Sequence, residues 1–425
     1  MRIALATWGS AGDVRPLIAL AAGFKRAGHE PTLLVTSVDD TDYRPLCAQL
    51  EVPLRLVPER TGVDLLAVLQ QSGGLRHQLR TLRLLFENGY LRFADDVFKA
   101  ARELCSDCDV AIGHFMALPL RAAAQLVAVP YVSVILWPGL VPTATRPPVR
   151  LPDLGATLNR ACWGLFGRLF DQLLRSRVNE LWTGWGLAPV SHVIDEIVFS
   201  DLLNLLAASP TLQPAAADWP AHFCQCGELA LPAAGTPWTM PDRLRSFLAA
   251  GPAPVLMTLG SSQQLDPEHA ADLLVAAAKL AGGRTLLQLS SARYPADRVD
   301  GDLYFLGPVP HADLLPRCAA MVHHGGAGTS HAALKAGLPS VVVAFVDEQR
   351  VWGQALARLG TALEPLSYRR ATAEQLAQRV QQTLAAPELR QAAARAGAKL
   401  RHEDGVASAV QQVEQLLNDV VNPAC

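Results

Sequence analysis

The segment "VHHGGAGTSHAALKAG", from Val322 to Gly337, places a run of glycines between an apolar stretch and a helical pattern. The apolar residues before it predict a strand, and "TSHAALKAG" predicts two helical turns that end at Gly337. A helix start carries unpaired backbone N–H groups and a partial positive charge, and glycines let an anion approach that backbone closely. The segment therefore predicts a phosphate site, although a tight turn that needs glycine only for its dihedral angles would show the same pattern.

Composition and charge limit the classes of partner. The 425 residues are 50% hydrophobic and 18% charged, which provides enough apolar material for the cores of two domains. Lys and Arg number 37 against 39 Asp and Glu, a net charge of −2, so the balance indicates no nucleic-acid partner. Any phosphate binding must then come from a local site.

The apolar runs predict neither a secretion signal nor a membrane span. The first run, in "MRIALATWGS", has six residues before Gly9 and is too short for a signal peptide. The run "LVAVPYVSVILW" is interrupted by Pro130 and is shorter than the roughly 20 residues that a span requires. Eight cysteines at irregular spacing do not suggest a disulfide framework, and the pairs 105/108 and 224/226 are interpreted as ordinary thiols. We expect a cytoplasmic protein.

An alternation of strands and helices begins at the first residues. The pattern predicts a strand over 3–8, a loop over 9–14, a helix over 16–27 that stops at Gly28, and a strand over 32–37. This is a βαβ unit, which implies a parallel sheet. The strands "CDVAIGH" and "VPYVSVILW" continue the series, with "LPLRAAAQL" as a crossover helix.

The alternation is interrupted once and then restarts. The segment "SPTLQPAAADWP", residues 209–220, contains three prolines and predicts a hinge. Strand patterns resume with "APVLMTLGSS" and continue through "LPSVVVAFV". We predict an α/β chain of two tandem Rossmann-like domains, 1–215 and 216–400, and a C-terminal helix within 401–425 that packs back toward the N-terminal domain.

Four stretches of the sequence carry a family resemblance. In chain order they are "GSAGDVRP", "LGSS", "GPVPHADLLPRCAAMVHHGGAGT" and "GLPSVVVAFVDEQRVWGQAL". Together they resemble the GT-B glycosyltransferases of the UDP-glycosyltransferase superfamily, in the bacterial and fungal branch that includes sterol glucosyltransferases and glycopeptide or macrolide glycosyltransferases. The resemblance implies the GT-B fold, two Rossmann-like domains facing a central cleft. It also implies inverting transfer of a sugar, with UDP-glucose expected first and a dTDP-sugar as the alternative donor, to a hydrophobic hydroxylated acceptor without metal or further cofactor.

The resemblance also assigns residues that hold the donor diphosphate. His324 and Thr329 occupy the positions that contact the diphosphate, Gly326 and Gly328 give access to the backbone, and Ser261 binds from the other side. These residue types suit the task, because a helix start with glycines accepts an anion. Ser261 and Thr329 could instead cap helices.

Sugar and nucleobase contacts follow from the same resemblance. The acidic-glutamine pair that binds the sugar hydroxyls falls on Glu348 and Gln349, and Asp347 is an alternative because relatives commonly carry Asp-Gln. A carboxylate and an amide together accept from and donate to adjacent hydroxyls. Val309 and His311 belong to the base-binding segment "PVPH". Plant relatives begin that segment with tryptophan, so the choice between uracil and thymine stays open.

The catalytic base is expected in the first loop. Asp13 matches the position of the base, Ser10 and Gly12 belong to the acceptor loop, and the end of a first parallel strand faces the ligand crevice of such folds. Asp13 could alternatively cap the following helix. In many relatives a histidine stands in the position of Asp13 and an aspartate in that of His114, so the two are exchanged here. His114 either forms a dyad with Asp13 or lines the acceptor pocket.

The acceptor side is less specific. The segments "LRHQLRTLRLLFENGYLRF" and "LNRACWGLFGRLFDQLLRSRVNELW" combine aromatics with arginines at helical period. They are interpreted first as core-facing helices, and otherwise as an acceptor pocket or a peripheral membrane contact. A sterol, terpenoid, polyketide or phenol acceptor fits the apolar content, and we expect a monomer or a homodimer.

Other functional classes remain open at this stage. A nucleotide-sugar 2-epimerase would share the architecture, and a protein that binds without catalysis is a further alternative. A NAD-dependent oxidoreductase would need G-x-G-x-x-G after the first strand, where the chain has only Gly9 and Gly12. Release of nucleotide that depends on an acceptor separates a transferase from all three.

Overall fold

Each half of the chain is built around its own sheet. The computed structural model describes residues 1–39, 41–62, 87, 90–148, 151–232 and 238–421. Contacts divide the chain into two units. The first contains Met1–Pro210, Pro214–Pro232 and Asp404–Cys425, and the second contains Thr211–Gln213 and Ala233–Glu403.

The first unit is a parallel sheet with helical crossovers. Its described elements are β1 (Arg2–Gly9), α1 (Ala11–Arg26), β2 (Glu30–Ser37), α2 (Arg44–Gln49), β3 (Leu54–Leu56), α3 (Ala94–Cys105), β4 (Val110–His114), α4 (Leu118–Val127), β5 (Tyr131–Ile135), α5 (Ala156–Gly184), β6 (Leu203–Leu206) and β7 (Phe223–Gln225). The strand order is β3-β2-β1-β4-β5-β6-β7, and every pair is parallel.

Alternation along β1 explains why helices cover both faces of this sheet. Ala4 and Ala6 belong to one buried apolar cluster, while Ile3 and Leu5 belong to another. Because successive side chains of a strand point to opposite faces, the two clusters are the cores on the two sides of the sheet. A parallel sheet buried on both faces is the expected result of βαβ connections.

The second unit repeats this architecture. Its described elements are α6 (Asp242–Ala249), β8 (Val255–Thr258), α7 (Pro267–Ala281), β9 (Thr285–Gln288), β10 (Arg298–Asp300), β11 (Leu303–Leu306), α8 (His311–Leu314), β12 (Ala320–His323), α9 (Ala327–Lys335), β13 (Ser340–Ala344), α10 (Asp347–Arg358), β14 (Leu366–Ser367), α11 (Ala373–Ala385) and α12 (Pro387–Leu400). The order is β10-β11-β9-β8-β12-β13-β14. Only the edge pair β10–β11 is antiparallel among the described strands.

The last helix, α13 (Gly405–Val421), belongs to the first unit. It packs on α1 at Gly23, where a side chain would overlap Val406. His29 Nε2 and Glu414 Oε1 lie 2.8 Å apart at the same contact. The absence of a side chain at Gly23 therefore lets α1 and α13 approach closely.

Two predicted boundaries differ from the structure. Residues 216–232 belong to the first unit and not to the second, because β7 pairs with β6 in the first sheet. The helix predicted from residue 16 begins at Ala11, since Ser10 and Asp13 form a capping box ahead of Pro16. Residues 11–14, predicted as loop, are thus the first turn of α1.

None of the described helices, including the 29 residues of α5, combines the length and apolar character needed to cross a bilayer.

Candidate active site

Asp13 lies in the first turn of α1, at the third helical position after the N-cap. Ser10 is the N-cap of α1, and its backbone N–H donates a hydrogen bond of 3.0 Å to Asp13 Oδ2. The Ser10 hydroxyl donates to the same oxygen at 3.3 Å. Asp13 is therefore not the N-cap of a helix beginning near Pro16, but it completes the capping box of Ser10 through Oδ2.

Gly9 makes this position of the carboxylate sterically available. Its φ of +127° is one that L side chains rarely adopt, and a Cβ there would overlap the Asp13 carboxyl group. Gly12, in the first turn of α1, is exposed and meets no such restriction. The first glycine of "GSAG" therefore provides the space into which Asp13 folds back.

The second oxygen of Asp13 faces His114 at the end of β4. Asp13 Oδ1 and His114 Nε2 are 3.7 Å apart, which exceeds hydrogen-bonding distance. The His114 side chain is 3% exposed, and neither ring nitrogen has a hydrogen-bond partner among the described residues. Burial lowers the pKa of His114 to about 3, so the imidazole is neutral at neutral pH. The two side chains are neighbours without a direct hydrogen bond.

The environment of Asp13 tunes its basicity. Desolvation raises its pKa to about 6, with a further contribution from the charge of Asp39, against the hydrogen bonds from Ser10 that lower it. The side chain is still 38% exposed. A carboxylate with a pKa near 6 is ionised at neutral pH and is a stronger base than an ordinary aspartate.

In the second unit, His324 lies between β12 and α9. Its imidazole is enclosed by two glycines, because a Cβ on Gly260 would come within 2.7 Å of Cε1 and a Cβ on Gly326 would overlap Nε2. Nδ1 has no hydrogen-bond partner among the described residues. Burial, and secondarily His311, lower the pKa of His324 to about 4. The ring is therefore neutral at neutral pH.

The start of α9 lies beside this ring. Gly326 is its N-cap, and the exposed Gly328 has open space where a side chain would lie. Thr329, in the first turn, is half-buried. The first N–H groups of a helix lack intrahelical acceptors, so this turn presents donors to an anion.

His323 shapes the same turn from inside the unit. It is fully buried, and its Nδ1 accepts a hydrogen bond of 3.1 Å from the Gly325 N–H. Gly325 has φ +86°, and a Cβ there would lie 2.6 Å from the Gln349 carbonyl oxygen. His323 thus supports the turn and does not line a ligand site.

Gln349 is hydrogen-bonded within the protein. Its Oε1 accepts from the Phe345 N–H at 2.9 Å, and its Nε2 donates to Ser262 Oγ at 3.0 Å. The residue is 8% exposed. It connects the turn between β13 and α10 to the 3₁₀-helix Gly260–Leu265, which also carries the exposed Ser261. A sugar contact by Gln349 would require the exchange of one of these bonds.

The remaining residues predicted to bind the nucleotide-sugar donor lie at or just before helix starts. Asp347 and Glu348 begin α10, and Glu348 Oε1 accepts a hydrogen bond of 3.0 Å from Trp352 Nε1. His311 begins α8, and Val309 precedes it, half-buried against the adjacent apolar cluster. In each case a short turn after a strand sets the position of the side chain.

Neither close pair of cysteines forms a disulfide, and Cys105, Cys108, Cys224 and Cys226 are free thiols. Among the residues with described positions, no group of three or more His, Cys, Asp or Glu is arranged to hold a metal ion.

Comparison with known proteins identifies the family. Residues 289–416 match the model described as Erythromycin biosynthesis protein CIII-like, C-terminal domain. The chain is 30% identical over 427 residues to O-mycaminosyltylonolide 6-deoxyallosyltransferase of Streptomyces fradiae, covering 98% of this chain and 97% of the relative. The chain belongs to the UDP-glycosyltransferase superfamily. It is an enzyme that transfers a sugar, as predicted.

Solved structures confirm the predicted GT-B fold of this glycosyltransferase. The glycotransferase of kitacinnamycin matches with a TM-score of 0.71 at 18% identity, covering 98% of each chain. Glycosyltransferase VinC in complex with dTDP matches with a TM-score of 0.69 at 20% identity, covering 98% of this chain and 100% of that one. At these identities the likeness establishes the fold alone.

Three residues of the site were not singled out from the sequence. Gly9 and Gly260 provide space for Asp13 and His324, and Ser262 anchors Gln349. The glycines stand in "WGSAG" and "LGSS", so their positions after strands are a signal that sequence reading could use. Ser262 offers no such signal, since its partner is 87 residues away.

Because Gly326 packs against His324, substitutions at these two positions should not have additive effects on nucleotide affinity. His324→Ala should weaken the binding of UDP or dTDP by about tenfold, because it removes a hydrogen-bonding group. Gly326→Ala should have a similar effect, since the new methyl group displaces the imidazole. The double variant should bind no worse than His324→Ala alone, because the two changes remove the same interaction. Calorimetric titration of the four proteins measures the coupling, and simple additivity would contradict this view of Gly326.

Proposed function

We propose that this glycosyltransferase catalyses inverting transfer of a sugar from a UDP- or dTDP-sugar to a hydroxyl of a hydrophobic small molecule, with Asp13 as general base. The observation that carries the proposal is that the two oxygens of the Asp13 carboxylate have different environments. Oδ2 is fixed by Ser10, while Oδ1 makes no hydrogen bond with the described part of the chain, and desolvation raises the pKa of the group to about 6. A positioned base of this strength suits deprotonation of an attacking hydroxyl.

His114 supports this role without sharing the proton. Its pKa of about 3 makes it a neutral neighbour, and its 3.7 Å separation from Asp13 argues against a preformed dyad. A buried imidazole with both nitrogens unpaired among the described residues has hydrogen-bonding capacity for an acceptor hydroxyl or water. We therefore favour His114 as a wall of the acceptor site over the exchanged dyad.

The second unit supplies the groups that the leaving diphosphate requires. Backbone N–H groups at the start of α9 and the neutral imidazole of His324 donate hydrogen bonds without a cation. This arrangement supports metal-independent transfer. A nucleotide-sugar donor presents both the diphosphate and the reactive sugar carbon that such a site would accept.

The relatives guide the choice of donor and acceptor. The Streptomyces fradiae relative is named as a deoxyallosyltransferase acting on a tylonolide, and VinC was solved with dTDP. These names favour a dTDP-deoxysugar and a polyketide acceptor as the second candidate beside UDP-glucose. A sterol, terpenoid or phenol remains in the proposed acceptor class because each combines an apolar body with a hydroxyl.

The proposal is tested by acceptor-dependent release of nucleotide. The protein is incubated with UDP-glucose and with dTDP-glucose, each with a macrolide aglycone, a sterol and a phenol, and products are identified by mass spectrometry. Transfer predicts nucleotide release together with an acceptor that has gained one hexose. Rearrangement of the nucleotide sugar without acceptor would instead indicate an epimerase.

Replacement of the base should affect turnover more than binding. Asp13→Asn keeps the shape and an oxygen for the Ser10 cap but removes the proton acceptor, so kcat should fall by roughly 10²–10⁴. Donor affinity should hardly change, because the residues proposed to bind the diphosphate lie in the second unit. Asp39→Asn removes a nearby carboxylate that is not proposed to accept the proton, and it serves as the matched control when kcat is measured well above the pKa of Asp13. Near-normal kcat in Asp13→Asn with an alcohol acceptor would show that Asp13 is only a cap.

The pH profile should report the raised pKa of Asp13. A carboxylate must lose its proton to act as a base, so kcat/KM should be full above its pKa and fall about tenfold per unit below roughly pH 6. The charge of Asp39 contributes to the raised pKa of Asp13, so Asp39→Asn should move this limb to lower pH. An acidic limb that stays at the same pH in Asp39→Asn, or that lies near pH 4, would contradict the assigned environment.

Chelation should leave the reaction intact. Because protein N–H groups and His324 are proposed to stabilise the leaving diphosphate, the enzyme should retain most of its kcat in EDTA. Initial rates are compared before and after chelation and after addition of magnesium or manganese. Loss of turnover that either ion restores would count against this mechanism.

A further inference from the structure

The long helix α5 presents apolar side chains on two opposite faces. One face packs into the core of the first unit through its buried aromatic and aliphatic residues Trp163, Leu174, Val178 and Trp182. On the other side lie Leu158, Leu165 and Leu169, which are 51%, 56% and 55% exposed. Spacings of seven and four residues place these three on one side of the helix. We call them the leucine stripe.

The stripe is confined to the first half of α5. Leu151 and Leu154, in the segment just before the helix, are exposed as well. Further along, the same face carries Gln172, Ser176 and Glu180, all exposed. Single exposed leucines are common on protein surfaces, but a localised group of five indicates an interaction surface.

The exposed charges around the stripe are mostly basic. Helical geometry places Arg168 beside the leucines, while Arg175 and Arg177 follow further along the helix, one on each side of the same face, and all three are exposed. The exposed acid Glu180 forms an ion pair with Arg177. The second acid of the helix, Asp171, is buried on the opposite face, where it accepts hydrogen bonds. One further exposed acid, Asp153, lies before the helix, so the exposed arginines outnumber the exposed acids and the net basic charge suits a negatively charged partner.

A second copy of the chain is a poor occupant for this surface. A symmetric dimer through the stripe would bring two basic rims together. Five half-exposed leucines also offer much less area than the roughly 800 Å² per partner that a stable protein complex buries. A bilayer surface avoids both problems. Its anionic headgroups attract arginine, and binding to it does not require a complementary protein surface of that area.

We propose that the leucine stripe seats this enzyme on an anionic membrane surface. The leucines enter the boundary between headgroups and acyl chains, and Arg168, Arg175 and Arg177 lie at the level of the lipid phosphates. The helix lies in the plane of the interface, since it also forms part of the core of the first unit. The proposal does not depend on the identity of the donor or the acceptor.

Vesicle flotation with the full chain tests the contribution of the leucines. Vesicles of phosphatidylcholine alone are compared with vesicles that also contain phosphatidylglycerol. The wild type should bind the anionic vesicles at least about tenfold more strongly. The triple variant Leu158→Gln, Leu165→Gln, Leu169→Gln should lose at least about tenfold in that binding. The matched triple variant Leu126→Gln, Leu202→Gln, Leu280→Gln changes exposed leucines elsewhere and should bind like the wild type.

The remaining experiments test the contribution of the arginines and the oligomeric state. Arg168→Gln with Arg175→Gln should reduce binding to anionic vesicles about tenfold or more and leave binding to neutral vesicles unchanged. Thermal unfolding establishes that each variant is folded, and the single variant Leu165→Gln replaces the triple if the triple is not. Wild-type binding to neither vesicle, or equal binding by the stripe variant, overturns the proposal. A dimer by light scattering that the stripe variant abolishes also overturns it, in favour of a second copy.

Discussion

Parallel strand pairing is the constraint on which the candidate site depends. When neighbouring strands run in the same direction, every turn from a strand into its helix falls on one edge of the sheet. In the first unit this edge brings together Asp13 after β1 and His114 at the end of β4. In the second unit it brings Gly260 after β8 against His324 after β12. The chemistry of each unit is thus a consequence of how its sheet is connected.

Desolvation then gives these side chains their protonation states. The same physical effect acts in opposite directions on acids and bases, because it disfavours whichever form is charged. It raises the pKa of Asp13 and lowers the pKa of His114 and of His324. The outcome is one strengthened carboxylate base and neutral imidazoles that can hydrogen-bond without adding charge. Glycines at the turns allow this close packing, since each leaves room for the side chain of a neighbour.

The helix α5 illustrates how one element serves two environments. Its aromatic residues complete the core of the first unit, while its leucine stripe remains exposed between arginines. Sequence periodicity favoured a core-facing helix, and that prediction describes one face of α5. The other segment with the same pattern, residues 75–93, lies largely outside the described residues. An apolar pattern alone cannot distinguish a helix face that packs in the core from one that remains exposed, because both have the same residue types.

The sequence by itself determined the α/β class, the repeated βαβ order and the place of His324 between a strand and a helix, because strand periodicity, glycine turns and local motifs act over a few residues. Only the tertiary structure decided that Asp13 is a neighbour of His114, that Gln349 is hydrogen-bonded to Ser262, and that residues 216–232 join the first unit. These features depend on contacts between segments far apart in the chain. Their geometry is set by packing, which no local pattern of residues encodes.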